Sequence, residues 1–238
     1  MKTLKKNLLL SGFIAVTLSA SPAFANRTVD TPYVDKGDAY LEWKGGYHAD
    51  HRSDISGSWV QEGNFGYGIT DFWNFEIGGA VDHDGASDGN TEFSTITIDN
   101  RFEITPPGEY FFDFGVSIAY GMTQHDGPDG VEGKLLFAKQ IGAFTNLGNI
   151  IIAHEIGEDS SDETTYGLAL GTSYALSDKL AVGLEAYSSF GDFEDSFDEQ
   201  EHQIGPALYG EFNDHLSYKL GFSAASRMPR RMPKSKRL

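Results

Sequence analysis

The sequence predicts an all-β chain, an antiparallel transmembrane β-barrel of about 12 strands, on three observations. Apolar residues alternate with small or polar ones over stretches about ten residues long. Short turns alternate with long acidic loops. The N-terminus has the three parts of an export leader. The plainest alternating stretch is Tyr110 to Tyr120, Tyr-Phe-Phe-Asp-Phe-Gly-Val-Ser-Ile-Ala-Tyr. Read as one strand, it sets Tyr110, Phe112, Phe114, Val116, Ile118 and Tyr120 against Phe111, Asp113, Gly115, Ser117 and Ala119, because successive side chains point to opposite faces. Ten steps of about 3.3 Å, tilted by about 40°, rise roughly 25 Å along a membrane normal. That is the height of the apolar band on a barrel, with an aromatic ring at each lipid–water boundary.

Lys2, Lys5 and Lys6 form a basic start, Leu8 to Leu18 a short apolar run, and Ala23-Phe24-Ala25 an A-x-A cleavage site. Residues 1–25 therefore read as a signal peptide cut before Asn26. The run is too short for a spanning helix, and no later segment reaches the roughly 18 apolar residues that one needs. With no cysteine, the chain is neither a disulfide scaffold nor an acylated lipoprotein. Residues 26–37 read as an irregular periplasmic lead-in, and residues 38–225 as the barrel.

Eleven strands are expected, at 39–48, 57–69, 73–82, 93–104, 110–121, 131–141, 146–156, 165–176, 180–189, 202–212 and 216–224. Phe75, Ile77, Gly79 and Val81 oppose Asn74, Glu76, Gly78 and Ala80. Leu180, Val182, Leu184 and Ala186 oppose Ala181, Gly183, Glu185 and Tyr187. Faces are ambiguous around Asn149, Ile150 and Ile151, which do not alternate. Strands this long are unusual in a soluble sandwich and ordinary in a tilted barrel.

Short turns are expected at 70–72, 105–109, 177–179 and 213–215. Acidic, glycine-rich loops are expected at 83–92, 122–130, 157–164 and 190–201, with a first outer loop at 48–56. Barrels of this kind keep short turns on the periplasmic side and longer loops outside.

The whole chain has 18 Lys+Arg and 35 Asp+Glu. Three lysines lie in the leader and six basic residues in the last twelve, so residues 26–226 keep 9 basic residues against 35 acidic ones. Such a body excludes nucleic acid as a partner, since that needs concentrated positive charge. The acidic clusters of the loops, such as Asp82-His83-Asp84 and Asp192 to Glu201, match no known calcium-loop spacing and read as solvated surface rather than as metal sites. No cofactor is expected.

Several short segments resemble a group of proteobacterial outer-membrane barrels. They are Tyr67-Gly68-Ile69-Thr70-Asp71, Glu132-Gly133-Lys134-Leu135-Leu136, Glu155-Ile156-Gly157-Glu158, Tyr174 to Leu180, Gly183-Leu184-Glu185-Ala186-Tyr187 and Gly205-Pro206-Ala207. The group includes transporters grouped with phenol-degradation pathways. The resemblance spans roughly residues 57–222. It implies a barrel of about twelve strands in the outer membrane and passive transport, and it carries over no catalytic residue.

The C-terminus departs from that pattern. Residues 226–238 carry Pro229, Pro233 and a cluster of basic residues, without strand propensity or alternation. An odd strand count also breaks the even-number rule. A shifted reading frame or a misassigned end in place of the last strand is preferred over a natural tail. An unclosed barrel leaves two edges unpaired in lipid, at several kcal/mol for each polar group.

Glu76, Asp99, Arg101, Glu103, Asp113 and Glu185 fall on the small or polar faces and are the expected lumen charges, with Arg101 near enough to pair with carboxylates. Glu132 and Lys134 add a further pair. The expected function is passive transport through an acidic, cation-favouring lumen. The alternative is a structural or surface-interaction barrel with a filled interior. An outer-membrane hydrolase is disfavoured, because Ser217 near His215 and Ser53 near His51 are coincidences of composition and no G-x-S-x-G elbow is present. Expected partners are outer-membrane lipid, the barrel assembly machinery, and cations or small solutes.

Overall fold

Alternation and turn chemistry build the computed structural model into one continuous wall. It describes residues 28–48, 57–85, 89–125, 127–158, 160–161, 164–192, 200–213 and 215–228, with the backbone alone for 12–19 and 225–228. The A-x-A site, Ser53 and His51, Asp126, Asp159, Asp162-Glu163, most of the run from Asp192 to Glu201, and residues 229–238 of the tail lie outside the described residues.

Thirteen strands are described. They are β1 (Gly12–Ser19), β2 (Ala39–His48), β3 (Trp59–Gly68), β4 (Trp73–His83), β5 (Thr91–Glu103), β6 (Asp113–Thr123), β7 (Asp129–Ile141), β8 (Phe144–Ile156), β9 (Thr164–Ser177), β10 (Leu180–Asp192), β11 (Gln200–Asn213), β12 (Leu216–Phe222) and β13 (Ala224–Met228). From β2 to β12 each strand pairs antiparallel with the next. Ala207 pairs with Gly221 and Ile204 with Ala224, so β12 and β13 share one register along β11 and act as a single strand interrupted at Ser223. From β2 onward the fold is thus an all-β antiparallel wall of eleven strands.

Three expectations change here. The strand expected from Tyr110 begins at Asp113, and Tyr110, Phe111 and Phe112 lie exposed in the turn below it. There Phe111 packs edge-to-face on Phe112 at 4.6 Å, and Phe112 on Phe137 at 6.4 Å. The last strand runs on to Met228, past residue 225, because the upper half of β11 would otherwise leave its backbone groups unpaired.

The third change concerns closure. An odd number of antiparallel strands makes the first and last run the same way. The gap between β2 and β12 is filled by β1, part of the segment read as a leader, and β1 is parallel to both neighbours. Its register continues theirs, with Ile14 opposite Trp43 and Tyr218, and Ala15 opposite Lys44 and Lys219. The twelfth place is therefore one strand wide.

Outward positions are mostly apolar, and the polar ones pair with one another or with an indole, as Gln61 with Trp43 and Thr172 with Asn146. Leu41, Ile118, Leu170 and Leu184 are exposed. Aromatic contacts ring the end that carries the short turns: Trp73 with Phe102, Phe114 with Phe137, Phe144 with Tyr174, and Phe212 with Tyr218. At the loop end Trp59 stacks on His83 at 5.4 Å. Such girdles fix a barrel at the two interfaces.

Candidate functional site: a lumen crossed by the N-terminal segment

The inward faces of β6 and β9 are mostly small, with Gly115, Ser117 and Ala119 on one and Gly167, Ala169 and Gly171 on the other. Small residues on the inner face of a barrel leave space. Residues 28–36 occupy it. The segment read as a periplasmic lead-in is irregular, as its sequence suggests, but it lies inside the barrel. Gly37, in the left-handed region at φ 78°, turns the chain inward from the foot of β2. Its N–H donates to the Gly68 carbonyl at 2.7 Å.

From there the segment climbs. Val34 donates its N–H to Glu103 at 2.8 Å. Tyr33 donates its hydroxyl to Asp113 at 2.7 Å. Pro32 is fully buried against Gly115, where a built Cβ would stand 2.9 Å from the proline Cβ. At mid-height Asp30 meets Lys134 at 3.0 Å, and its N–H donates to Asn149 Oδ1 at 2.7 Å. Asn149 returns a bond from Nδ2 to the Asp30 carbonyl at 2.9 Å. Val29 ends the path in an apolar cluster with Ile151, Ala169 and Tyr187. This cluster settles the ambiguous faces of β8: Asn149 and Ile151 point inward to receive Asp30 and Val29, and Ile150 and Ile152 point outward.

Burial raises the pKa of a carboxyl. For Asp30 the charges of Lys134, Arg101 and Lys44, with the Lys134 hydrogen bond, outweigh burial and hold it below the usual carboxylate range. Burial, with the bond to Asp113, pushes the Tyr33 phenol up.

The six expected lumen charges all lie on inward positions. Glu76 accepts from Tyr40 at 2.6 Å. Asp99 accepts from Ser117 at 2.6 Å. Glu103 and Asp113 hold the segment as described, and Asp113 also accepts from the Gly108 N–H at 2.6 Å. The charges of Asp30, Glu76 and Asp99 surround Arg101, although among the described residues its Nε finds no hydrogen-bond partner. Lys134 bridges Asp30 and Glu132, both at 3.0 Å. Lys44 pairs with Glu42 at 2.9 Å.

Glu185 belongs to a separate cluster. Lys219 of β12 reaches across β11 to its Oε1 at 2.6 Å. Tyr209 and Tyr187 donate to the same carboxylate at 2.7 and 2.8 Å. The sequence did not reveal Lys219, Asn149 or the role of Asp30. Lys219 carried one signal, an isolated lysine at an inward position of a strand otherwise fit for lipid. Asp30 carried none beyond its place among Val29, Pro32, Tyr33 and Val34.

Among the described residues, no group of three or more His, Asp or Glu side chains is placed to hold a metal ion. Residues 11–209 match the family model described as "Outer membrane protein beta-barrel domain". No curated protein matches the chain.

Proposed function

Since the chain belongs to the outer-membrane β-barrel domain family, we propose that it provides passive passage for small solutes, with a lumen that favours cations. Export through a cleaved leader is part of this reading. The observation that carries it is the balance of charge on the inward faces. Lys44, Arg101, Lys134 and Lys219 are outnumbered there by carboxylates, among them Glu42, Glu62, Glu76, Asp99, Glu103, Asp113, Glu132 and Glu185. A net negative, water-poor wall concentrates counter-ions and repels anions. Most of these groups are hydrogen-bonded to the wall itself, which leaves the fixed charge in place when solute passes.

A filled structural barrel is the second reading, and one observation favours it: residues 28–36 occupy the lower half of the lumen through bonds from the Val34 backbone, Tyr33 and Asp30. The two readings separate in planar bilayers. Passage predicts single-channel currents whose reversal potential across a salt gradient has the sign of cation preference. Anion preference refutes the charge argument. Silence, both for the whole chain and for a chain lacking residues 28–36, leaves the structural barrel.

A further inference from the structure

We infer that residues 28–36 are a displaceable plug, latched by Asp30, whose release opens the lumen wall to water. This rests on the proposed passage only for its consequence, not for its structural content.

The segment has the features of a docked strap rather than of wall. It contributes to no ladder, so it leaves without breaking a strand pair. It joins the barrel at a hinge, where Gly37 has a positive φ and Asp38 donates to the Asp35 carbonyl at 3.2 Å. Above the hinge its anchors are few and specific. Glu103 takes a backbone N–H and Asp113 a phenol, and these are neutral donors. Among the described residues its buried ion pair is Asp30 with Lys134, reinforced by the paired bonds of the Asp30 backbone to Asn149; the pair of Lys36 with Asp71, at the hinge, is exposed. The wall is cut to fit: any side chain at Gly115 collides with Pro32, and one at Gly68 collides with the Asp35 carbonyl.

The latch is also replaceable from the wall's side. When Asp30 leaves, Lys134 keeps Glu132 at 3.0 Å, so no lone buried cation remains. That lowers the cost of undocking below that of an ordinary broken buried pair. The groups facing Asp30 are Lys134 on β7, Arg101 on β5, Lys44 on β2 and Asn149 on β8. Thr28 Oγ1 also donates to the Asp30 carboxylate at 3.0 Å, and the Asp99 carboxylate faces it with like charge. A neutral side chain at position 30 loses the pull of the three cations, while the two Asn149 bonds, made to the Asp30 backbone, remain.

The chain has no cysteine, which makes the test clean. A Cβ built at Gly171 stands 3.5 Å from the Val29 Cβ, so Gly171→Cys reports whether the segment covers the wall. The probe is a small charged methanethiosulfonate reagent, applied to full-length protein folded in lipid vesicles. Asp30→Ala is expected to speed labelling of Gly171→Cys roughly tenfold or more, the lower end of what loss of a hydrogen bond to a charged group gives. Asp30→Glu is expected to keep labelling slow. In the Val29→Cys, Gly171→Cys pair the Cβ separation falls in the range a disulfide bridges, about 3.5–4.5 Å. Oxidation of that pair is expected to abolish any current and reduction to restore it. Equal labelling with Asp30 and with alanine at position 30 overturns the plug. A current that flows before oxidation and persists unchanged in the cross-linked protein overturns it also. Accelerated labelling without current supports the plug and refutes passage, so the two failures are distinct.

Discussion

Lys219 is the most deeply buried cation of the wall, 2 % exposed, and its partner Glu185 is 5 % exposed. Lys219→Met removes the cation and leaves a carboxylate that water does not reach. Breaking a buried ion pair from one side costs about 3–5 kcal/mol, most of it the penalty on the charge left behind. Here Glu185 keeps the hydroxyls of Tyr187 and Tyr209, at 2.8 and 2.7 Å. Hydrogen bonds to a charged acceptor contribute about 1.5–3 kcal/mol each, so they soften the penalty and set the expected loss near 3 kcal/mol. The double change Lys219→Met with Glu185→Gln leaves no charge and keeps an acceptor for the tyrosines. It should lie within about 1 kcal/mol of the parent, and so about 2 kcal/mol above the single Lys219→Met change. The assay is urea unfolding of the barrel in lipid vesicles, followed by tryptophan fluorescence and by migration of unheated samples. The lysine joins β12 to β10 across β11, so the change loosens the strand that borders the seam. A single variant as stable as the parent, or a double variant as unstable as the single, refutes the reasoning.

The remaining predictions concern depth, pH and location. Ile118 lies at the middle of β6 and is 56 % exposed, so Ile118→Arg should cost about 2–4 kcal/mol of barrel stability. Phe111→Arg, in the turn at the rim, should cost about 0–1 kcal/mol; equal losses in an unfolding assay count against the lipid face. Asp30 has a depressed pKa in the folded state, so its contribution is fully present above about pH 3.9 and fades only as pH falls through the lower folded value. Labelling of Gly171→Cys, corrected for thiolate fraction, should therefore not respond to Asp30 between pH 8 and 5; a rise in that window in the parent but not in Asp30→Asn contradicts the sign. The protein should fractionate with the outer membrane, begin at Asn26 and migrate anomalously when unheated; recovery in a periplasmic osmotic-shock fraction, or a first residue other than Asn26, contradicts the leader.

The sequence by itself determined the wall. Period-two alternation is a local property, since each residue's face follows from its neighbours, and Phe75 to Val81 or Tyr166 to Leu176 show it without any partner. The six inward charges followed from the same parity. Loop lengths gave the direction of the meander. Strand ends were less legible, because Tyr110 to Phe112 alternate as well as the strand they precede, yet they lie in the turn, where Phe111 packs on Phe112, and β6 begins at Asp113.

What only the tertiary structure decided is what fills and closes the barrel. The place of Asp30 depends on Lys134 and Asn149, more than one hundred residues away, and no local pattern encodes a contact of that separation. The inward Ile151 is apolar where polar residues are usual, and Val29 packed beside it is the reason. The seam is likewise a property of the ring: eleven strands each satisfy their own neighbours, and only closure reveals that the first and the last run in the same direction. Local side-chain parity sets the wall, but the contents of the lumen and the seam are set by long-range pairing of charges and backbone groups that water would otherwise satisfy.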